Sequence, residues 1–162
     1  FSACGTTAYG GRTPGALLMS ESEPSRCIIT YYLKLYAVTL VVFLAIDAVW
    51  LGLVARGFYA RHLGHMLTAH PQWWAALLFY LLFVAGALVF VVVPGVERGV
   101  LGVILLRAAL FGLVTYATYD LTNLATIKDW PVIVTVVDLI WGTALSTAVC
   151  AAGFMAGKWL GG

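Results

Sequence analysis

The chain has 162 residues, 62% of them hydrophobic and only 10% charged, with a formal net charge of +2 and a mean hydropathy of +0.98. Soluble domains carry about 25% charged residues, so this composition excludes a water-soluble fold and leaves an integral membrane protein. The small net charge gives no footprint for nucleic acid, and Cys4, Cys27 and Cys150 have neither a disulfide-framework nor a zinc-motif spacing.

Residues 1–30, "FSACGTTAYGGRTPGALLMSESEPSRCIIT", are rich in Gly, Ser and Thr and show no apolar period, which predicts an irregular N-terminal extension. Met19 is a natural start, because "MSESEPSRCIITYYLKLY" reads as a short polar lead into a membrane helix. A second reading takes "FSACG" as the end of a lipoprotein processing box, although that box wants Leu where Phe1 stands.

Residues 31–162 hold four apolar segments, each long enough for the roughly 20 helical residues that a hydrocarbon core needs. They predict helices over about 32–55, 73–93, 100–124 and 131–156. Pro94 and Gly95 are expected to stop the second, and Pro131 suits the first turn of the fourth. Tyr31, Tyr32, Tyr36, Trp73, Trp74, Trp130 and Trp159 mark the interfaces. Short connections make neighbours antiparallel, so the predicted fold is an antiparallel four-helix transmembrane bundle. Arg26, Lys34, Arg98 and Lys158 flank one side, with Arg107 able to snorkel to it; Arg56, Arg61 and Lys128 flank the other. This bias predicts both termini on the cytoplasmic side of the membrane.

Asp47, Asp120 and Asp138 lie inside the apolar segments. Alternating helix direction and a 1.5 Å rise per residue put all three in the same half of the membrane. That half also faces the longest interhelical loop, residues 56–72, which holds His62, His65 and His70. His62 and His65 share a face if the loop is helical. The bland reading of the three histidines is a headgroup-level loop; the sharper one is a metal site, for which no motif spacing is present. On the third helix, Tyr116, Tyr119, Asp120 and Asn123 share one face, with threonines alongside. Arg107 is thirteen residues from Asp120, about 20 Å along the helix, too far to pair with it.

A pattern also recurs. "DAVWLG" at 47–52 and "DLIWG" at 138–142 put Trp50 and Trp141 three residues after an Asp, with a glycine close behind. The indole N–H can donate to a carboxylate. Either the recurrence is chance in a Trp-rich chain, or the first and fourth helices present similar faces to one centre, with the third helix expected between them.

Four stretches, "AIDAVWLG", "GFYARHLGH", "YATYDLTNLATIKDWP" and "VDLIWGTALS", resemble a bacterial integral membrane family, domain of unknown function twenty-one seventy-seven. The resemblance covers about residues 31–157 and implies four membrane helices. It marks Asp47, Trp50, Tyr59, His65, Asp120, Asn123, Asp138 and Trp141 as motif positions and implies no activity, cofactor or role for them.

Three functions are compatible with these residues. The leading reading is an accessory or structural subunit of a larger membrane assembly, with partner subunits or further copies of this chain; its acids would be hydrogen-bonded helix glue. Another is a small proton- or cation-linked carrier, since intramembrane acids are default candidates for a functional site. The last is an enzyme acting on a lipid or isoprenoid, for which no nucleophile–base pair or cofactor fingerprint is present. No catalytic residue is assigned, and cofactor and metal stay open. The candidate intramembrane site is Asp47, Trp50, Tyr116, Asp120, Asn123, Asp138 and Trp141, and the candidate loop site is His62, His65 and His70. Asp120 is expected between helices beside Asp47 or Asp138, with Tyr116, Asn123, Trp50 and Trp141 as neutral partners.

Overall fold

The computed structural model describes residues 22–66 and 70–161, and within them four helices are long and apolar enough to cross a membrane. Helix α1 (Ser22–Val49) runs without a break into a π-helical turn, Trp50–Val54. A short crossover helix, α2 (Arg56–Leu63), follows. Helix α3 comprises Trp73–Ala87, a π-helical turn over Leu88–Val92, and a last stretch Val93–Arg98. Helices α4 (Leu101–Thr126) and α5 (Val132–Gly161) complete the chain. The fold is an all-α membrane bundle.

The last helix runs five residues past the expected 156, to Gly161, and two further boundaries differ from the sequence expectation for physical reasons. Residues 22–30, expected to be irregular, are helical. Extending a nucleated helix costs little compared with starting one, and Pro24 falls in the first turn, where its missing N–H is no loss. The rest of the expected irregular extension, Met19 and Cys4 included, lies outside the described residues. Pro94 and Gly95 do not end α3. The π turn just ahead, where the Val93 N–H reaches the Leu88 carbonyl, widens the helix and makes room for the proline ring. The helix stops instead at Gly99, whose φ of 71° is a left-handed cap suited to glycine.

Helix α5 is the centre of the bundle. It packs against α4 on one side and α1 on the other, while α3 closes the bundle against α1 and, through its π turn, α4 and α5. The expectation that the third membrane helix would separate the first from the fourth is therefore corrected: α1 touches α5 directly. Small residues set the spacing. A Cβ on Gly112 of α4 would strike the Gly142 carbonyl and the Ser146 side chain of α5, and one on Gly142 would enter the Tyr116 ring. At the start of α1 the Tyr31 hydroxyl donates to the Gly157 carbonyl near the end of α5, 3.1 Å away. These two chain segments thus share one end of the bundle, opposite α2. The core is apolar over most of its length, with Phe43, Val84, Val91, Ile104, Leu145 and Val149 almost fully enclosed.

Candidate functional site

The polar side chains gather in the half of the bundle next to α2. Asp47, Asp120 and Asp138 are 7%, 0% and 9% exposed, so the predicted acid cluster sits between helices and none of the three faces lipid. Each is brought there by the buried stripe of its helix. On α5 that stripe continues through Asp138, Gly142, Ser146, Gly153 and Gly157. On α4 it runs through Ile104, Ala108, Gly112 and Asp120. Both stripes follow the three-to-four residue spacing of a single helix face.

The Asp–Trp pattern is realised by exchange between helices. Because α1 and α5 are antiparallel, a Trp three residues after its Asp lies nearer the α2 end on α1 and farther from it on α5. Trp141 therefore reaches the acid of α1 directly, and Trp50 reaches that of α5 only through Tyr59. The Trp141 indole is in hydrogen-bonding reach of Asp47. The Trp50 indole donates to the Tyr59 hydroxyl at 3.4 Å, and that hydroxyl donates to Asp138. The two indole rings stack between the acids, with centroids 4.1 Å apart and planes 8° from parallel. Such a stack stabilises by about 0.5–1.5 kcal/mol beyond its buried area.

The three acids are treated very differently by their surroundings. Asp47 receives the Tyr80 hydroxyl at 2.8 Å as well as the Trp141 indole. Asp138 receives Tyr59. Among the described residues no donor faces either oxygen of Asp120, the least exposed of the three. Its hydrogen-bonding neighbour is the carboxyl of Asp138, so the pair can bond only when one of them carries a proton. The partners of the three acids among the described residues are tyrosines, indoles and each other, with no cation among them. Tyr59 lies on α2, outside the spans. Burial first, and then its hydrogen bond to Asp138, push its phenol above the ordinary tyrosine range, so it stays a neutral donor.

The remaining expected positions divide. Tyr116 fills the notch opposite Gly142 and lies within electrostatic reach of Asp47 and Asp138. Asn123, one turn beyond Asp120, is half-buried, and among the described residues its amide nitrogen has no partner. Trp50 and Trp141 serve Tyr59 and Asp47 rather than Asp120. Tyr119 points away, with its ring edge-on to Trp130 at 6.1 Å. The loop histidines do not join the cluster. His62 Nδ1 sits 2.9 Å from the Phe58 carbonyl, and α2 ends at Leu63, so His62 and His65 do not share a helix. His65 and His70 are exposed. Among the described residues no group of three or more His, Cys, Asp or Glu is placed to hold a metal ion.

Residue spacing alone does not single out two of the contributors. Tyr59 stands out only through the family resemblance, because a half-polar loop gives no sign of which ring turns inward. Tyr80 is not singled out by the sequence reading at all. Its signal was its depth: seven residues past Trp73 on α3, about 10 Å inside, it is too deep for an interfacial aromatic.

No curated protein and no solved structure matches the chain. The family model described as "Predicted membrane protein (DUF2177)" matches residues 32–155, which include every residue of this cluster. On that match, and on its four apolar spans, the chain belongs to the predicted membrane protein family DUF2177.

Proposed function

We propose that the chain is a small proton-linked membrane carrier in which Asp120 and Asp138 hold the exchangeable proton. One observation carries this reading: a fully buried carboxyl, Asp120, has no donor among the described residues and faces a second carboxyl. An accessory or structural subunit would use its acids as helix glue, and glue needs donors. Asp47 has the Tyr80 hydroxyl, whereas Asp120 has no donor among the described residues. Placing an acid near the middle of a membrane helix costs on the order of 2.5–3.5 kcal/mol by insertion scales, more than an average interhelical hydrogen bond of about 0.6 kcal/mol returns. Retaining it makes sense if the proton itself is used. The basic residues flanking the ends of α1 and α5, Arg26, Lys34 and Lys158, support placing that end in the cytoplasm of a bacterial inner membrane.

Dicyclohexylcarbodiimide, a lipid-soluble reagent, adds only to a protonated carboxyl and leaves a stable N-acylurea carrying the whole reagent. With the purified chain in lipid nanodiscs, mass spectrometry is expected to find the adduct on Asp120 or Asp138, ahead of Asp47. Labelling is expected to fall as pH rises, because deprotonating the pair removes the reactive form. In proteoliposomes, Asp120→Asn is expected to fold and insert but to abolish potential-driven proton uptake. No adduct on either residue anywhere from about pH 5 to about pH 9, a range spanning ordinary and strongly shifted carboxyls, would defeat the proposal.

A further inference from the structure

We propose that Tyr59 is the latch, and α2 the cover, through which protons from the aqueous face next to α2 reach Asp138 and then Asp120. This rests on the carrier reading above and adds the route of entry. Exposure falls stepwise along the line: Tyr59 is half-buried, Asp138 is 9% exposed and Asp120 0%. The Tyr59 hydroxyl donates to Asp138 and accepts from Trp50, so it stands between the outer acid and the α2 side of the bundle. Its phenol is held above the ordinary tyrosine range by burial. It therefore acts by moving aside and does not itself ionise: the proton passes from water to the Asp138 carboxylate while the Tyr59 O–H bond stays intact.

The helix carrying Tyr59 is joined to α1 through an irregular turn. The π turn Trp50–Val54 joins α1 to α2, with the Ala55 N–H reaching back to the Trp50 carbonyl at 2.7 Å. Such wide turns are frequent at functional sites. Around it Leu53 and Val54 are exposed, and a Cβ on Gly52 would meet nothing. Lifting α2 breaks the Tyr59–Asp138 bond while the buried α4–α5 crossing at Gly112 stays in place.

The test compares two carbodiimides on the chain in nanodiscs. The lipid-soluble reagent reports the acid pair whatever α2 does, and a water-soluble carbodiimide reports access from the aqueous face. Tyr59→Phe keeps the ring and removes the latch. It is expected to speed water-soluble labelling of Asp138 by roughly tenfold, the factor for losing one hydrogen bond to a buried carboxyl, with the lipid-soluble rate changed much less. Trp50→Phe, which keeps an aromatic ring in the stack but removes the N–H donated to Tyr59, is expected to act in the same direction by a smaller factor. Equal water-soluble rates in the wild-type chain and both variants, with lipid-soluble labelling intact, would overturn the latch and leave the carrier reading standing. Failure of the lipid-soluble reagent to label either acid in the wild-type chain would overturn both.

Discussion

The two halves of the bundle fill their interiors in opposite ways. Away from α2, helices meet through glycine. A Cβ on Gly153 would come within 3.0 Å of the Thr39 hydroxyl and 3.2 Å of Val92, and one on Gly157 within 2.7 Å of Val96. Polar groups there are satisfied by backbone: Thr39 bonds the Leu35 carbonyl at 2.8 Å and Tyr31 the Gly157 carbonyl. Next to α2 the same helices meet through rings and acids, and the least exposed acid is left without a donor among the described residues. One half closes the bundle. The other carries a polar arrangement that packing alone does not call for, which is where a function is expected to sit.

The boundary between the halves is the α4–α5 crossing, and disturbing it should have the largest effect. Gly112→Val would drive side-chain atoms into the Gly142 carbonyl and Ser146, both backbone-fixed or enclosed. Overpacking of this kind costs about 1–3 kcal/mol or more. The variant is expected to lose several degrees of Tm in a detergent melt and to lower labelling of the acid pair, since both halves depend on this contact. A wild-type Tm would mean that the crossing does not hold the bundle.

The acids themselves should respond unequally. Asp47→Leu strands the Tyr80 hydroxyl and the Trp141 indole, and leaving buried donors unmet costs about 1–3 kcal/mol. Asp120→Asn strands nothing and gives Asp138 an amide donor, so its Tm is expected to equal or exceed that of the wild-type chain. Equal losses of Tm from the two variants would erase the distinction between a structural acid and a working one.

The smallest effect is expected at Ser146, whose fully buried hydroxyl has no partner among the described residues. Ser146→Ala removes a polar atom that gains nothing from burial, so stability is expected to stay within about 0.5 kcal/mol of wild type or rise slightly. A clear loss in the same detergent melt would reveal a water or a shifted rotamer serving that hydroxyl.

The amino-acid sequence by itself determined the number of spans and the half of the membrane that holds the acids. Hydrophobic length is a one-dimensional quantity, and depth follows from counting residues at a fixed rise. The Asp–Trp spacing likewise identified which side chains share a face on α1 and on α5. Which group each face meets was decided only by the tertiary structure. Spacing along one helix says nothing of its neighbour's rotation, and that rotation follows from the close approach at Gly112 and Gly142. Antiparallel packing then brought Trp141 of α5 to Asp47 of α1, α2 folded back to bring Tyr59 onto Asp138, and Tyr80 arrived at Asp47 from a helix of almost wholly apolar sequence. The same packing left Asp120 facing Asp138 with no donor between them.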